Sequence, residues 1–166
     1  MTSIPQVQAT EEPQFEEYPA LPYASAGLRI VAGILDLIVL ASLGLLWAST
    51  AGFYLLTRTD WGSNSNFTQG EGLTAEAILA SFALVIPLYF FILGWWKGQS
   101  VGQMAVRIIV TDRDGYHMSV WQALLRTIMT PVALIPLGLG LIPMFFDKES
   151  RALHDMISGT VVLELP

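Results

Sequence analysis

The stretch Leu37–Leu56 reads LIVLASLGLLWASTAGFYLL and contains no charged residue. At about 1.5 Å per residue, a helix of this length spans about 30 Å, the thickness of the hydrocarbon core of a bilayer. A segment this long and this apolar is typical of a transmembrane helix. It therefore predicts that the chain is built around membrane-spanning structure.

The composition of the whole chain agrees with this interpretation. Hydrophobic residues make up 53% and charged residues only 13% of the 166 residues, and the mean hydropathy is +0.54. Soluble domains carry about a quarter charged residues, so roughly half of the usual solvated surface is missing. The sequence has no cysteine, which excludes disulfides and thiol chemistry. Its net charge of −6 argues against a nucleic-acid partner.

Two full transmembrane helices are predicted, over about residues 28–56 and 75–96. The second contains one charged residue, Glu76, at its start, where a negative group suits the helix dipole. Pro87 is expected to kink this helix. The sequence WWK at residues 95–97 supplies the aromatic and cationic anchors that are typical of the membrane–water boundary.

A third hydrophobic segment, about residues 120–146, is interrupted by helix-breaking residues. They are Pro131, Pro136, Gly138, Gly140 and Pro143. One interpretation is a re-entrant hairpin that turns back at 136–140. The other is a third span, because the uncharged stretch 127–146 is long enough to cross once. We favour the turn-back.

Two short β-branched runs lie outside the hydrophobic segments. They are VRIIVT at residues 106–111 and TVVLEL at 160–165. Isolated strands are unstable, so each is expected to pair with the other, on the same side of the membrane. The predicted fold is therefore an all-α membrane protein with a small cytoplasmic two-stranded β element.

The amino-terminal residues 1–23 are predicted to form a disordered acidic arm in front of a membrane domain at 24–166. The arm contains four glutamates, four prolines and no basic residue. The basic residues Lys97, Arg107 and Arg113 place the central loop 97–119 in the cytoplasm. The amino terminus is then cytoplasmic, and the turn-back makes the carboxyl terminus cytoplasmic too. A multi-pass protein of the cell membrane is expected.

Two charges fall within the first hydrophobic segment. Arg29 and Asp36 are seven residues apart, almost two helical turns, and therefore share one face. Charges in the bilayer cost about 2.5–3.5 kcal/mol, so they are expected to be functional and paired. Arg126 is expected to pair with Asp36. Arg29 is expected to pair with either Asp147 or Asp155. Alternatively, Asp36 starts the helix and Arg29 extends to the lipid headgroups.

Small residues on the first helix predict close helix packing. Gly44, Ala48 and Gly52 recur every four residues, and Gly33 lies on the face of the two charges. The partner helix is expected within the chain, with a homo-oligomer as the alternative.

No catalytic or metal-binding pattern is present. His154 and Asp155 are adjacent in sequence and so point in different directions on a helix, which does not make a catalytic dyad. No spacing typical of metal ligands occurs. We expect neither enzymatic activity nor a cofactor.

Several fragments resemble the RDD family, which is named for one arginine and two aspartates. They are AGLR at 26–29 leading to Asp36, GQSVG at 98–102, VRIIV at 106–110 with DG at 114–115, QALLR at 122–126, and LHDMISGTVV at 153–162. By this resemblance Arg29 is the family arginine, Asp36 the first aspartate and Asp155 the second. The resemblance implies a membrane fold and a role in transport.

The leading functional hypothesis is transport of an ion or small solute. Buried Asp36 would bind a cation or proton, with Arg29 and Arg126 tuning its protonation. So few spans offer little lining for a pathway, so a homo-oligomer or a membrane partner is expected beside the lipid bilayer. The alternative is a non-transporting assembly or accessory protein, whose arginines and aspartates hold the helices together.

Overall fold

A computed structural model describes residues 21–58, 69–134 and 138–166. The helices are α1 Ala26–Arg58, α2 Gln69–Lys97, α3 Val101–Ala105, α4 Val120–Leu134 and α5 Leu153–Ser158, with a 3-10 helix at Leu139–Phe145. The strands are β1 Ile108–Asp112 and β2 Thr160–Glu164. Most of the predicted acidic arm, residues 1–20, lies outside the described residues.

Helices α1 and α2 form an antiparallel hairpin. The indole Nε1 of Trp47 donates a hydrogen bond to the carbonyl of Ile78 at 2.7 Å, while Asp36, earlier on α1, meets Tyr89, later on α2. Gly44 lies against the ring of Phe82. The sequence predicted two apolar helices long enough to span a membrane, and the structure confirms them.

These two helices have the surface of lipid-facing segments. In the most apolar 18-residue stretch of each helix, only 11% of the residues of α1 and 0% of those of α2 are buried inside the protein. A core helix of a soluble protein would be mostly buried, so this exposure requires another apolar medium. Both helices extend past the predicted bounds, and α2 begins at Gln69 rather than residue 75. A long helix extends easily into a flanking turn-rich sequence, because each added residue gains a hydrogen bond.

The third hydrophobic segment does not form one continuous helix. Helix α4 has 15 residues, about 22 Å, which is shorter than the hydrocarbon core. Gly138 then adopts a left-handed conformation with φ 75°. A Cβ on Gly140 would lie 2.5 Å from the Cβ of Ala133, so the 3-10 helix packs back onto α4. The chain therefore reverses direction after α4; residues 135–137 lie outside the described residues.

The two predicted strands pair with each other in antiparallel register, from Ile108 opposite Glu164 to Asp112 opposite Thr160. Strand β1 begins at residue 108 rather than 106, because Arg107 has a φ of 55° that breaks the extended backbone. The pairing itself was predicted correctly.

The end of the predicted arm also contacts the sheet. Tyr23 bridges Leu163 on β2, Ala24 N donates to Val162 O at 2.8 Å, and Glu164 N donates to Pro22 O at 2.9 Å. Residues 22–24 therefore pair with β2. A buried cluster joins this strand pair to α1 and α4. It comprises Ala24, Ala32, Ile108, Val110, Met118, Ala123 and Val162.

Candidate functional site

The first polar network is centred on Asp155, whose side chain is fully buried. Arg29 Nη2 donates to its Oδ2 and Arg126 Nη1 to its Oδ1. Asp155 Oδ2 also accepts from the backbone N–H of Ala152 at 2.9 Å, which caps the start of α5. A single carboxylate therefore ties α1, α4 and α5 together.

Each arginine has one further acceptor. Arg29 Nη1 donates to the carbonyl of Ser150, and Arg126 Nη1 donates to Thr160 Oγ1 at 3.0 Å. The glycine that follows α5, Gly159, has a φ of 68° and turns the chain directly into β2. That tight turn brings Thr160 and Asp155 to the same guanidinium.

Charge and burial act in opposite directions on these groups. Burial raises the pKa of Asp155, but the positive charges of Arg126 and Arg29 outweigh it and hold that pKa well below its usual range. Burial and the charge of Arg126 lower the pKa of His154 to about 4, so its imidazole is neutral at pH 7. Within the described residues, the buried Nδ1 of His154 has no hydrogen-bond partner.

The second polar network is centred on Asp36, which is only 4% exposed. Its Oδ1 accepts from Tyr89 Oη at 2.7 Å and from Gly102 N at 2.8 Å. Its Oδ2 accepts from Ser100 Oγ at 2.5 Å. Across the described ranges, no basic side chain lies within ion-pair distance of Asp36.

Helix α3 approaches α1 closely enough to reach Asp36 because residue 102 is glycine. A Cβ at Gly102 would lie 2.1 Å from the carbonyl oxygen of Ala32. Ser100 is the N-cap of α3 and forms a reciprocal capping box with Gln103. The sequence S-x-x-Q at 100–103 carried this signal.

One predicted pairing differs from the structure, whereas Arg29 binds Asp155, one of its two expected partners. Arg126 binds Asp155 instead of Asp36. Asp147 does not reach Arg29; its Oδ2 accepts from Arg151 Nε at 2.9 Å, and this hydrogen bond lowers the pKa of Asp147 to about 2. Helix α5 packs against α4, and this contact brings Asp155 to Arg126.

The alternative in which Asp36 starts the helix and Arg29 extends to the lipid headgroups is also contradicted. Asp36 lies ten residues inside α1, and the Arg29 side chain is 9% exposed and bound to Asp155.

The four small residues of α1 have different surroundings. Gly44 packs against Phe82 of α2, while Gly33 and Gly52 have open space where a Cβ would lie. Ala48 is exposed. Close packing within the chain is therefore seen at Gly44.

A cleft of about 780 Å³ adjoins both polar networks. The lining at the end near the sheet is polar and includes Arg29, Asp36, Ser100, Gln103, Arg126 and His154. Toward the middle of the α1–α2 hairpin the lining is apolar and includes Leu37, Leu40, Phe82, Ile86, Phe90 and Leu141. The cleft is of a size typical of small-molecule sites.

The two exposed apolar helices, each long enough to span a bilayer, indicate an integral membrane protein. The RDD family model matches residues 23–159, and the chain belongs to the RDD family. The sequence-based assignment to this family is therefore confirmed.

Two curated relatives are similar to this chain. It is 27% identical to the uncharacterized protein YckC of Bacillus subtilis over 147 residues, 84% of this chain and 85% of the relative. It is 30% identical to the uncharacterized protein RP437 of Rickettsia prowazekii over 87 residues, 52% of this chain and 49% of the relative. No solved structure gives a significant match.

Proposed function

We propose that this protein is transport-related and binds a cation or proton at Asp36 beside a solute in the cleft. The observation that carries the proposal is the contrast between the two buried aspartates. Asp155 has two arginines, whereas Asp36 is surrounded by hydroxyl and N–H groups without a basic partner among the described residues. Buried charges are costly unless compensated, which makes such a carboxylate a candidate cation site.

The contacts of Asp36 also suggest how binding there could be transmitted. All three of its hydrogen-bond donors come from α2 or from the start of α3. A proton on the carboxyl group would replace one acceptor position with a donor, and the bond from Gly102 N–H would weaken. Because Asp36 and Ser100 both line the cleft, this change would alter the wall that a solute contacts.

The proposal includes a defined orientation and assembly. The protein crosses the cell membrane with α1 and α2, and α4 and the 3-10 helix form a re-entrant hairpin. The amino terminus, the loop 97–119 and the carboxyl terminus are cytoplasmic. The pairing of residues 22–24 and β1 with β2 supports a shared side. A homo-oligomer or a membrane partner supplies further lining, and the protein catalyses no reaction.

Ion flux in proteoliposomes tests the proposal. We expect the purified protein to dissipate an imposed Na⁺ or H⁺ gradient faster than empty liposomes do. Asp36→Asn should reduce that rate at least tenfold. Glu76→Gln, which removes an exposed carboxylate on α2, should keep it.

Folding defects are separated from transport defects by the reconstitution yield. Asp36→Asn should reconstitute as well as the wild type and Glu76→Gln, so that its loss of flux is a defect in transport. A wild-type protein that carries neither ion overturns the proposal.

A non-transporting accessory role is favoured by one different observation. The Arg29–Asp155–Arg126 network joins three helices with no exposed charge at its centre, which is the arrangement of a structural clamp. In that case the wild type shows no flux, and Asp36→Asn lowers the yield of folded protein. Capture of a defined membrane partner by the intact protein would then support the accessory role.

A further inference from the structure

The guanidinium group of Arg126 has unused hydrogen-bond donors. Both of its bonds come from Nη1, to Asp155 Oδ1 and to Thr160 Oγ1. In the part of the chain that the structure describes, Nε and Nη2 have no acceptor. These two N–H groups lie parallel along one edge of the guanidinium, a fork that fits both oxygens of a carboxylate or phosphate. The Arg126 side chain is 14% exposed and lines the cleft.

The charges around this fork favour an anion. Arg29 and Arg126 share one carboxylate, Asp155, which leaves one positive charge in excess. His154, which also lines the cleft, adds none at pH 7 because its pKa is lowered. Asp36 lines the same cleft and balances that charge overall, but its two oxygens face α2 and α3, from which they accept three hydrogen bonds, so the excess positive charge stays local to the two arginines.

The remainder of the cleft favours a hydrocarbon chain. Beyond the arginines its walls are the apolar side chains of α1, α2 and the 3-10 helix. Gly33 opens onto this space, with nothing within 4 Å of where its Cβ would lie. An acyl chain buried here gains about 0.8 kcal/mol per methylene group removed from water.

We propose that the cleft binds an anionic amphiphile, with its acid group on the Nε–Nη2 fork of Arg126 and its acyl chain along the apolar walls. His154 lines the same cleft, and its buried Nδ1 has no hydrogen-bond partner among the described residues. This inference deepens the proposed function by naming the class of solute, and it rests on the same cleft. Free fatty acids and anionic phospholipids share this chemistry.

Equilibrium binding of radiolabelled oleate to the full chain, in a neutral sugar detergent, tests this assignment. Unlabelled oleate or phosphatidylglycerol should displace the label, and the stronger competitor identifies the source of the ligand. Oleyl alcohol lacks the charge and inorganic phosphate lacks the chain, so each should compete at least tenfold more weakly. Equal competition by oleyl alcohol or by inorganic phosphate overturns the proposal.

Matched variants locate the site. Arg126→Lys keeps a charge for Asp155 but removes the fork, and should weaken oleate binding at least tenfold. Gly33→Leu fills the cleft and should abolish binding, whereas Gly52→Leu, on the same helix but away from this cleft, should not. If Arg126→Lys and Gly33→Leu both bind oleate with wild-type affinity, the proposed amphiphile site is also overturned.

Binding is measured without an ion gradient, so its outcome is independent of transport. Intact ion flux without oleate binding overturns the assignment of an anionic amphiphile but not the transport proposal. Oleate binding without ion flux overturns the transport proposal but not that assignment.

Discussion

At the scale of single residues, the two buried aspartates receive different kinds of compensation. Asp155 is neutralised by opposite charges, whereas Asp36 accepts hydrogen bonds from neutral groups. Removing one partner of a buried ion pair costs about 3–5 kcal/mol, so the first arrangement favours a fixed structure. A carboxylate held by neutral donors has no cationic partner of its own among the described residues, and this is the arrangement that the proposed cation site requires of Asp36.

His154 should make stability depend on pH. Its pKa is about 6.5 in the unfolded chain and lowered to about 4 in the fold. Between these values the unfolded state binds the extra proton, so the free energy of unfolding falls as the pH drops, by at most about 1.4 kcal/mol per pH unit. Thermal unfolding in detergent from pH 7 to 4.5 measures this slope.

The matched variants for this prediction are His154→Gln and His117→Gln. His154→Gln should flatten the dependence of the free energy of unfolding on pH between pH 6.5 and 4. His117→Gln, which changes an exposed residue, should leave that dependence unchanged. A wild-type slope in His154→Gln would assign the pH dependence to another group.

At the scale of elements, what the sequence could predict depended on pattern length. Twenty uncharged residues, or a six-residue run rich in β-branched residues, specify an element by themselves, so α1, α2 and the strand pair were predictable. Helix α3 has five residues, too few for a periodic pattern, and only its capping box indicates it. The contact of α3 with α1 depends on the close approach of Gly102 to Ala32. The spacing of residues along the sequence does not predict such a three-dimensional contact. The partners of Arg126 were mispredicted because they depend on where the turn-back places α5.

Gly102→Ala should separate α3 from α1. Its methyl group would overlap the backbone carbonyl of Ala32, which cannot move without disturbing α1. Overpacking of this kind costs about 1–3 kcal/mol, and the Gly102 N–H bond to Asp36 would be lost with it. Thermal unfolding should show a lower midpoint. Gly33→Ala, also on a helix but facing open space, should be neutral or slightly stabilising.

At the scale of the whole molecule, the polar groups are gathered at one end of an apolar hairpin. The start of α1, the end of α2, α3, the sheet and α5 all meet there, and the far ends of α1 and α2 extend beyond α4. The turn-back is what makes this possible, because it returns β2 to β1 and Asp155 to Arg29. A single crossing at α4 would carry both to the opposite side. The ion network and the strand pair are therefore two consequences of one reversal.

That dependence makes the sidedness of the chain a decisive measurement. The chain has no cysteine, so single cysteines at Asp114→Cys, Pro166→Cys and Ser65→Cys can be labelled with a membrane-impermeant maleimide in intact cells. Residue 65 falls between α1 and α2 and should be labelled from outside. Residues 114 and 166 should be labelled only after the membrane is opened, because β1 and β2 pair and must lie on one side. Labelling of residue 166 from outside, with 114 protected, would mean that the segment after α4 crosses and that Asp155 cannot bind Arg29.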